Sequence, residues 1–217
     1  MITMKIETIN PYVMKIIISG RKEDSINSIA RRIKLSYGWT YKWVKELIRM
    51  KVFKASKLKL ILNEENKFYQ DTLKYIKTNF SNDINFHYSV LDLFGVRYCF
   101  TKTDAVFIWT KGGYNIARYR DFYPIFIKVS LKDKKLFEEY CKKLSLSIKE
   151  KKGIFYHPIY LSSFDIDYCN NAPVDSLEET ISFMKKQIYN FQPALEMIKE
   201  MYNKRIKVEY SEVNTNV

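Results

Sequence analysis

The chain has 217 residues and a mass of 26.0 kDa, long enough for one large or two small domains, each with its own core. A hydrophobic share of 47% beside 28% charged residues excludes a disordered chain, and no apolar run approaches the roughly 18 residues of a membrane-spanning helix. The formal net charge is +13 and is unevenly placed: residues 1–80 hold 17 Lys/Arg against 7 Asp/Glu, and Arg21 to Lys59 alone hold 12 against 3. A basic excess concentrated in this way is the footprint expected for a polyanion partner, nucleic acid above all. The start, MITMKIETINPY, lacks the apolar stretch of a secretory signal. The three cysteines, Cys99, Cys141 and Cys169, form no C-x-x-C pair, so reduced thiols in a cytoplasmic protein without membrane association are expected.

In chain order, Pro11 to Gly20 (PYVMKIIISG) reads as a first helix stopped by glycine. In DSINSIARRIKL the residues Ile26, Ile29, Ala30 and Ile33 recur at helical spacing, with Asp24 or Ser25 placed to cap the N-terminus. Residues 36–50 form an amphipathic helix at about 100° per residue. Trp43, Val44, Leu47, Ile48 and Met50 gather on its apolar side with Thr40, and Gly38, Lys42, Lys45 and Arg49 gather opposite. Trp43 is expected in the core, with Tyr37, Trp39 and Tyr41 near the helix start. A strand at Val52 to Lys54, a tight turn at Ala55-Ser56 and a strand at Leu58 to Leu62 then form a half-buried hairpin.

Over residues 25–62, IARRIKLSYGWTYKWVKELIRMKVF followed by this hairpin resembles the winged helix-turn-helix superfamily. One departure is Lys51, where such proteins usually carry a glycine that turns the chain into the wing. The resemblance implies sequence-specific binding of double-stranded DNA. Arg31, Arg32, Lys42, Lys45 and Arg49 would meet phosphates or base edges, with Ser36, Tyr37, Gly38, Trp39 and Tyr41 at the start of the reading helix and Lys54, Lys57 and Lys59 on the wing. Stacking of the aromatics on single strands is an alternative to duplex binding.

Asn63 to Phe80 reads as a linking helix suited to packing on the wing or to pairing with a second copy, which makes a homodimer the expected state. The polar Ser81-Asn82-Asp83 marks the expected boundary between a DNA-binding domain (1–82) and a small α+β domain (83–205), followed by a polar tail (206–217). The second domain is expected to hold strands at 96–101, 123–129 and 153–163. The last of these contains Pro158 and is therefore expected at a sheet edge. Helices are expected at KTDAVFIWTKGG, at LKDKKLFEEYCKKL, at VDSLEETISFMKKQI with Asp175 and Glu178 as its cap, and from Pro193. The fold class is thus α+β, a winged helix-turn-helix domain followed by a small α+β domain ending in two helices.

No catalytic residue, cofactor or metal is expected. His87 and His157 are the only histidines, and no spacing links either to a nucleophile or to the cysteines. Asp165 and Asp167 are the one pair of carboxylates that a Mg²⁺-dependent DNA-processing enzyme would use. The stretch 112–121 does not fit the metal loop of nucleotidyltransferases. Tyr114, Arg118, Tyr119 and Arg120 instead read as a partner-binding surface, since aromatic residues and arginine are enriched at interfaces. Over most of its length the chain also resembles the antitoxins of AbiE-type abortive-infection systems and their archaeal relatives, through the helix FTKTDAVFIWT and the strand YPIFIKV. That resemblance implies an autorepressing antitoxin whose partner is a nucleotidyltransferase-type toxin. A one-component regulator whose second domain senses a small ligand is the alternative.

Overall fold

The computed structural model describes residues 10–56, 59–116, 118–119 and 121–206. The chain is a mixed α+β protein with two sheets among these residues and divides into two compact units. One unit takes the described residues up to Val96 together with Leu136–Leu146; the other takes Arg97–Lys135 and the chain from Ser147 onward.

The first unit begins with α1 (Pro11–Ser19), entered through Asn10, whose side chain accepts from the Tyr12 N–H at 2.9 Å, with proline at the first helical position. A two-residue strand β1 (Glu23–Asp24) leads to α2 (Ile26–Arg32) and α3 (Tyr37–Arg49), capped by Ser25 and Ser36. The hairpin β2 (Phe53–Ser56) and β3 (Lys59–Leu62) follows. Strand order is β1-β3-β2, antiparallel throughout. Ala55 and Ser56, expected in the turn, pair with Leu60 and Lys59 instead, so the hairpin extends further than its alternation suggests. Leu60 and Leu62 face the core while Lys59 and Ile61 are exposed; Lys57 and Leu58 lie outside the described residues. Lys51 adopts a left-handed φ of 60°, a conformation that ordinarily favours glycine.

Helices α4 (Lys67–Phe80) and α5 (Ile84–Val90) complete the contiguous part of this unit. The core joins Ile16 and Ile17 of α1 to Ile29, Val44, Leu47, Phe53 and Tyr69. The division of the chain differs from the expected cut after residue 82. Asp83 caps α5, and the buried His87 donates from Nε2 to the Ser81 carbonyl at 2.9 Å, so the polar triplet is an internal corner.

The second unit contains β4 (Tyr98–Phe100), α6 (Lys102–Trp109) and β5 (Phe122–Ser130). The chain then forms α7 (Lys134–Leu144), expected in the second domain but belonging from Leu136 onward to the first unit. The reason lies at the end of α1, where the last carbonyls have no helical partner of their own. Lys143 Nζ donates to Ile17 O, Ile18 O and Gly20 O at 2.7, 3.0 and 2.9 Å, and Tyr140 Oη donates to Ser19 O at 2.6 Å. The ammonium also lies over the Tyr69 and Tyr140 rings at 5.4 and 5.7 Å. Burial pulls Lys143 down to about 7, while the carbonyl dipoles around it favour the charged form.

The rest of the second unit is β6 (Ser147–Ile148), β7 (Gly153–Leu161), β8 (Asp167–Cys169), β9 (Ala172–Val174), α8 (Leu177–Lys186) and α9 (Ile188–Met201). Its six-stranded sheet has the order β6-β7-β5-β4-β9-β8, parallel at β6-β7, β7-β5 and β4-β9 and antiparallel at the other two pairs. Strand β7 runs unbroken through Pro158 and is not the outermost strand. Because β6 pairs only with Phe155 and Tyr156, Pro158 still stands where β7 is paired on one side alone among the described residues. Helix α9 begins at Ile188, so Pro193, expected at its start, lies inside it. Helix α8 is capped by Ser176, which accepts from the Glu179 N–H at 3.1 Å, and not by Asp175. Asp175 is buried; it pairs with Lys128 at 2.9 Å and accepts from Thr101 and from Cys99 Sγ. Beyond Ile206 the expected tail lies outside the described residues.

Two stability measurements test this arrangement. Lys143→Met strands three buried carbonyls at the end of α1, each worth about 1–3 kcal/mol when unsatisfied, and should lower the urea midpoint strongly with little change in slope. For His87, burial holds the imidazole below its ordinary value of 6.5, so the folded state keeps it neutral while the unfolded chain takes up a proton. This contribution is complete above pH 6.5 and is lost as pH falls below it. The urea midpoint should therefore drop between pH 7 and pH 5, and His87→Asn should remove that part of the slope.

Candidate nucleic-acid interface

The sequence dictates how α3 is presented. Ser36 Oγ accepts from the Trp39 N–H at 3.3 Å, and the Thr40 hydroxyl, buried, donates to the Ser36 carbonyl at 2.9 Å, which fixes the first turn. Thr40, Val44 and Leu47 are buried. The opposite side is solvent: Gly38, Tyr41, Lys42, Lys45 and Arg49 are all exposed and follow one another at helical spacing. A Cβ added at Gly38 would meet nothing within 4 Å, so the start of this face is open.

Three large aromatics stand at the same end. Tyr37, Trp39 and Tyr41 are 54%, 40% and 46% exposed, and the Tyr37 and Tyr41 rings stack at 6.2 Å. Tyr12 of α1 braces the group from beneath, edge-on to Trp39 at 5.5 Å and stacked on Trp43 at 6.3 Å. Lys42 lies over the Trp39 and Trp43 rings at 5.1 and 5.7 Å, an arrangement that holds the ammonium near the helix surface. Trp43, expected in the core, is only half-buried, and its buried indole Nε1 has no hydrogen-bond partner among the described residues. The apolar stripe of α3 is therefore centred on Val44 and Leu47, with Trp43 on its margin.

The other basic residues divide into two kinds. Arg31 and Lys54 are exposed. Arg49 pairs with Glu46 at 2.7 Å, and Lys59 pairs with Glu23 at 2.8 Å, both at the surface, where such pairs contribute little and exchange readily for another anion. The hydrogen bond between Glu23 and Lys59 lowers the carboxyl and raises the ammonium from their usual ranges. Arg32 corrects the expectation: its side chain is buried in an ion pair with Asp24, which also accepts from the N–H groups of Arg21 (3.1 Å) and Ser25 (2.9 Å). Gly95, at φ +62°, allows the arginine stem past; a Cβ there would stand 2.6 Å from Arg32 Cδ. Arg32 thus locks the β1 turn to α2 and is not available to a partner. Lys57 lies outside the described residues.

Of the residues expected to bind a protein partner, Arg118 is internal to the second unit, Tyr114 is half-buried and Tyr119 is exposed. The Arg118 side chain is buried, 2.6 Å from Asp104 and over the Phe107 and Tyr123 rings. Tyr114 Oη donates to the Asn190 carbonyl. Tyr119 is exposed, and Arg120 lies outside the described residues. The aromatic-and-arginine composition reflects a buried cation–π cluster, which no residue spacing separates from an interface. Asp165 and Asp167 are exposed on and before β8, and among the described residues no three His, Cys, Asp or Glu side chains are grouped to hold a metal. All three cysteines are free and buried, and burial pushes the Cys99 and Cys141 thiols upward, away from reactivity. No helix among the described residues is long and apolar enough to cross a membrane.

Comparison of the chain with family models, curated proteins and solved structures finds no match. The geometry of α3 gives a direct expectation for stability. Leu47→Ala, at a buried site, should cost about 2–5 kcal/mol, whereas Trp43→Ala should cost less than the roughly 3–5 kcal/mol of a fully buried aromatic. Chemical denaturation of the two variants would order them.

Proposed function

We propose that the protein is a double-stranded DNA-binding transcriptional regulator whose first unit acts as a winged helix-turn-helix, with α3 as the reading helix. The observation that carries this reading is the solvent face of α3, where Lys42, Lys45 and Arg49 form a basic stripe that begins at the open Gly38 and is headed by exposed aromatics. The element order α1-β1-α2-α3-β2-β3, with β1 paired to β3, supports it, as does the Lys54- and Lys59-bearing hairpin beside α3. A major groove admits one helix, and the residues at its start reach base edges while flanking cations meet phosphates. Tyr37, Trp39 and Tyr41 suit apolar contact with thymine methyl groups, and Lys42, Lys45, Arg49 and Arg31 suit the backbone. A homodimer reading two half-sites is the form in which one such unit gains operator length.

An autorepressing antitoxin is the narrower version of the same role. It requires a protein-binding surface on the second unit, to which Tyr119 contributes exposed aromatic area.

The test is a titration of labelled duplex and single-stranded oligonucleotides across salt. The intact chain should bind duplex more tightly than single strand, with affinity falling steeply as salt rises. Lys42→Ala with Lys45→Ala should keep the fold and flatten the log–log salt slope by about 0.9 for each phosphate no longer neutralised. A slope and affinity equal to those of the unaltered protein would refute the reading.

A further inference from the structure

The second unit carries an open cavity of about 500 Å³ on one face of its sheet, within the usual range for small-molecule sites. The register explains its floor. Phe126 pairs with His157 and Pro124 with Phe155 across the parallel β5-β7 ladder, so these side chains and Phe122 share a face. The rings of Phe126 and His157 lie 5.1 Å apart, and Phe122 and Phe155 meet edge-on at 5.7 Å. Phe122 and Phe126 remain half-exposed.

Cations gather above this aromatic floor. Lys149 and Lys151 line the cavity from the segment between β6 and β7, and Lys102, at the start of α6, holds its ammonium 5.2 Å over the Phe126 ring. Glu150 is the one carboxylate among the described lining residues. Burial, together with the positive charge of Lys102 and Lys149, lowers His157 from its ordinary value. Lys102 and Lys149 also share an uncommon backbone, with left-handed φ of 51° and 53°. Side chains other than glycine and asparagine are held there at a conformational cost, and such residues cluster where a side chain is aimed at a ligand. Arg118 lines the wall but is already committed to Asp104.

We propose that this cavity binds a small anion with a flat apolar body, of the aromatic carboxylate or sulfonate class. The body lies against Phe122, and the acid group is met by Lys149 and by Lys102, whose ammonium stands over Phe126. The proposal is independent of the DNA-binding role of α3; together they describe a regulator with an effector site.

The experiment uses the intact chain and the fluorescence of 8-anilinonaphthalene-1-sulfonate, with neutral N-phenyl-1-naphthylamine as the charge control. The sulfonate should bind saturably at one site, about tenfold more tightly than the neutral probe, as a charge-assisted contact requires. Lys102→Asn with Lys149→Asn removes both charges in a residue that tolerates the left-handed backbone. It should weaken the sulfonate about tenfold and leave the neutral probe unchanged. Lys151→Ala gives a second, independent reading should the double variant melt early. Lys42→Ala with Lys45→Ala should bind the sulfonate as the unaltered protein does. Absence of saturable binding, equal affinity for the two probes, or undiminished sulfonate binding in the charge-removed variants would overturn the proposal.

Discussion

Four carbonyl groups at the end of α1 set the terms for the first unit. A helix that ends inside a protein must find donors for its last carbonyls, or the segment bears the cost of burying them bare. Here those of Ile17, Ile18, Ser19 and Gly20 are all answered by Tyr140 and Lys143, one turn apart on α7. With that end satisfied, Ile16 and Ile17 can lie fully buried against Val44 and Leu47, and α3 is held with its basic face outward. Phe94 stacks on Tyr140 at 4.6 Å and packs on Phe137, which seats α7 from its other side.

A second constraint sorts the positive charges of this unit into those that build it and those that remain for a partner. The Arg32 side chain is buried and neutralised by a carboxylate, and the half-buried Lys143 ammonium is solvated by three carbonyl groups in place of water. Removing either counterpart would leave an isolated charge in the interior, the costly case among buried ions. Lys42, Lys45 and Arg31, by contrast, keep their solvation and give up only counterions when they meet a polyanion. The formal charge of a stretch therefore overstates what its surface can offer, and the excess between Arg21 and Lys59 includes one cation that never reaches solvent.

Much of the local structure was legible in the residues. The cap on α2, expected at Asp24 or Ser25 and found at Ser25, the apolar side of α3 and the strand alternation at Leu60 and Leu62 all follow from period and side-chain chemistry that act over a few positions. The departure at Lys51 was legible too, because a left-handed turn is a local demand of the backbone. Periodicity could not reveal what each buried face meets. The apolar side of α7 reads the same whether it covers its neighbours in sequence or a helix more than 120 residues away. Nor does composition separate Arg118 in a buried cluster from an arginine at an interface, since both use aromatic faces and a carboxylate. Asp24 and Arg32 stand eight positions apart with no pattern to show that their charges would be drawn inside together. The cavity on the second sheet was equally hidden, because its floor depends on which strands become neighbours and its lysines come from two separate segments.

The detour of the chain through the second unit has a consequence for birth on the ribosome. The hydrogen bonds that close the end of α1 span 121 to 126 positions, so α3 can form early while its unit cannot be completed until residue 143 has left the exit tunnel. By then β4, α6 and β5 of the other unit have already been made. Closing so long a loop adds little entropy beyond that of a shorter one, yet it postpones cooperativity. A nascent chain halted before α7 would carry the basic helix without the lysine that secures its neighbour, and the cooperative packing of the first unit would be acquired late in translation.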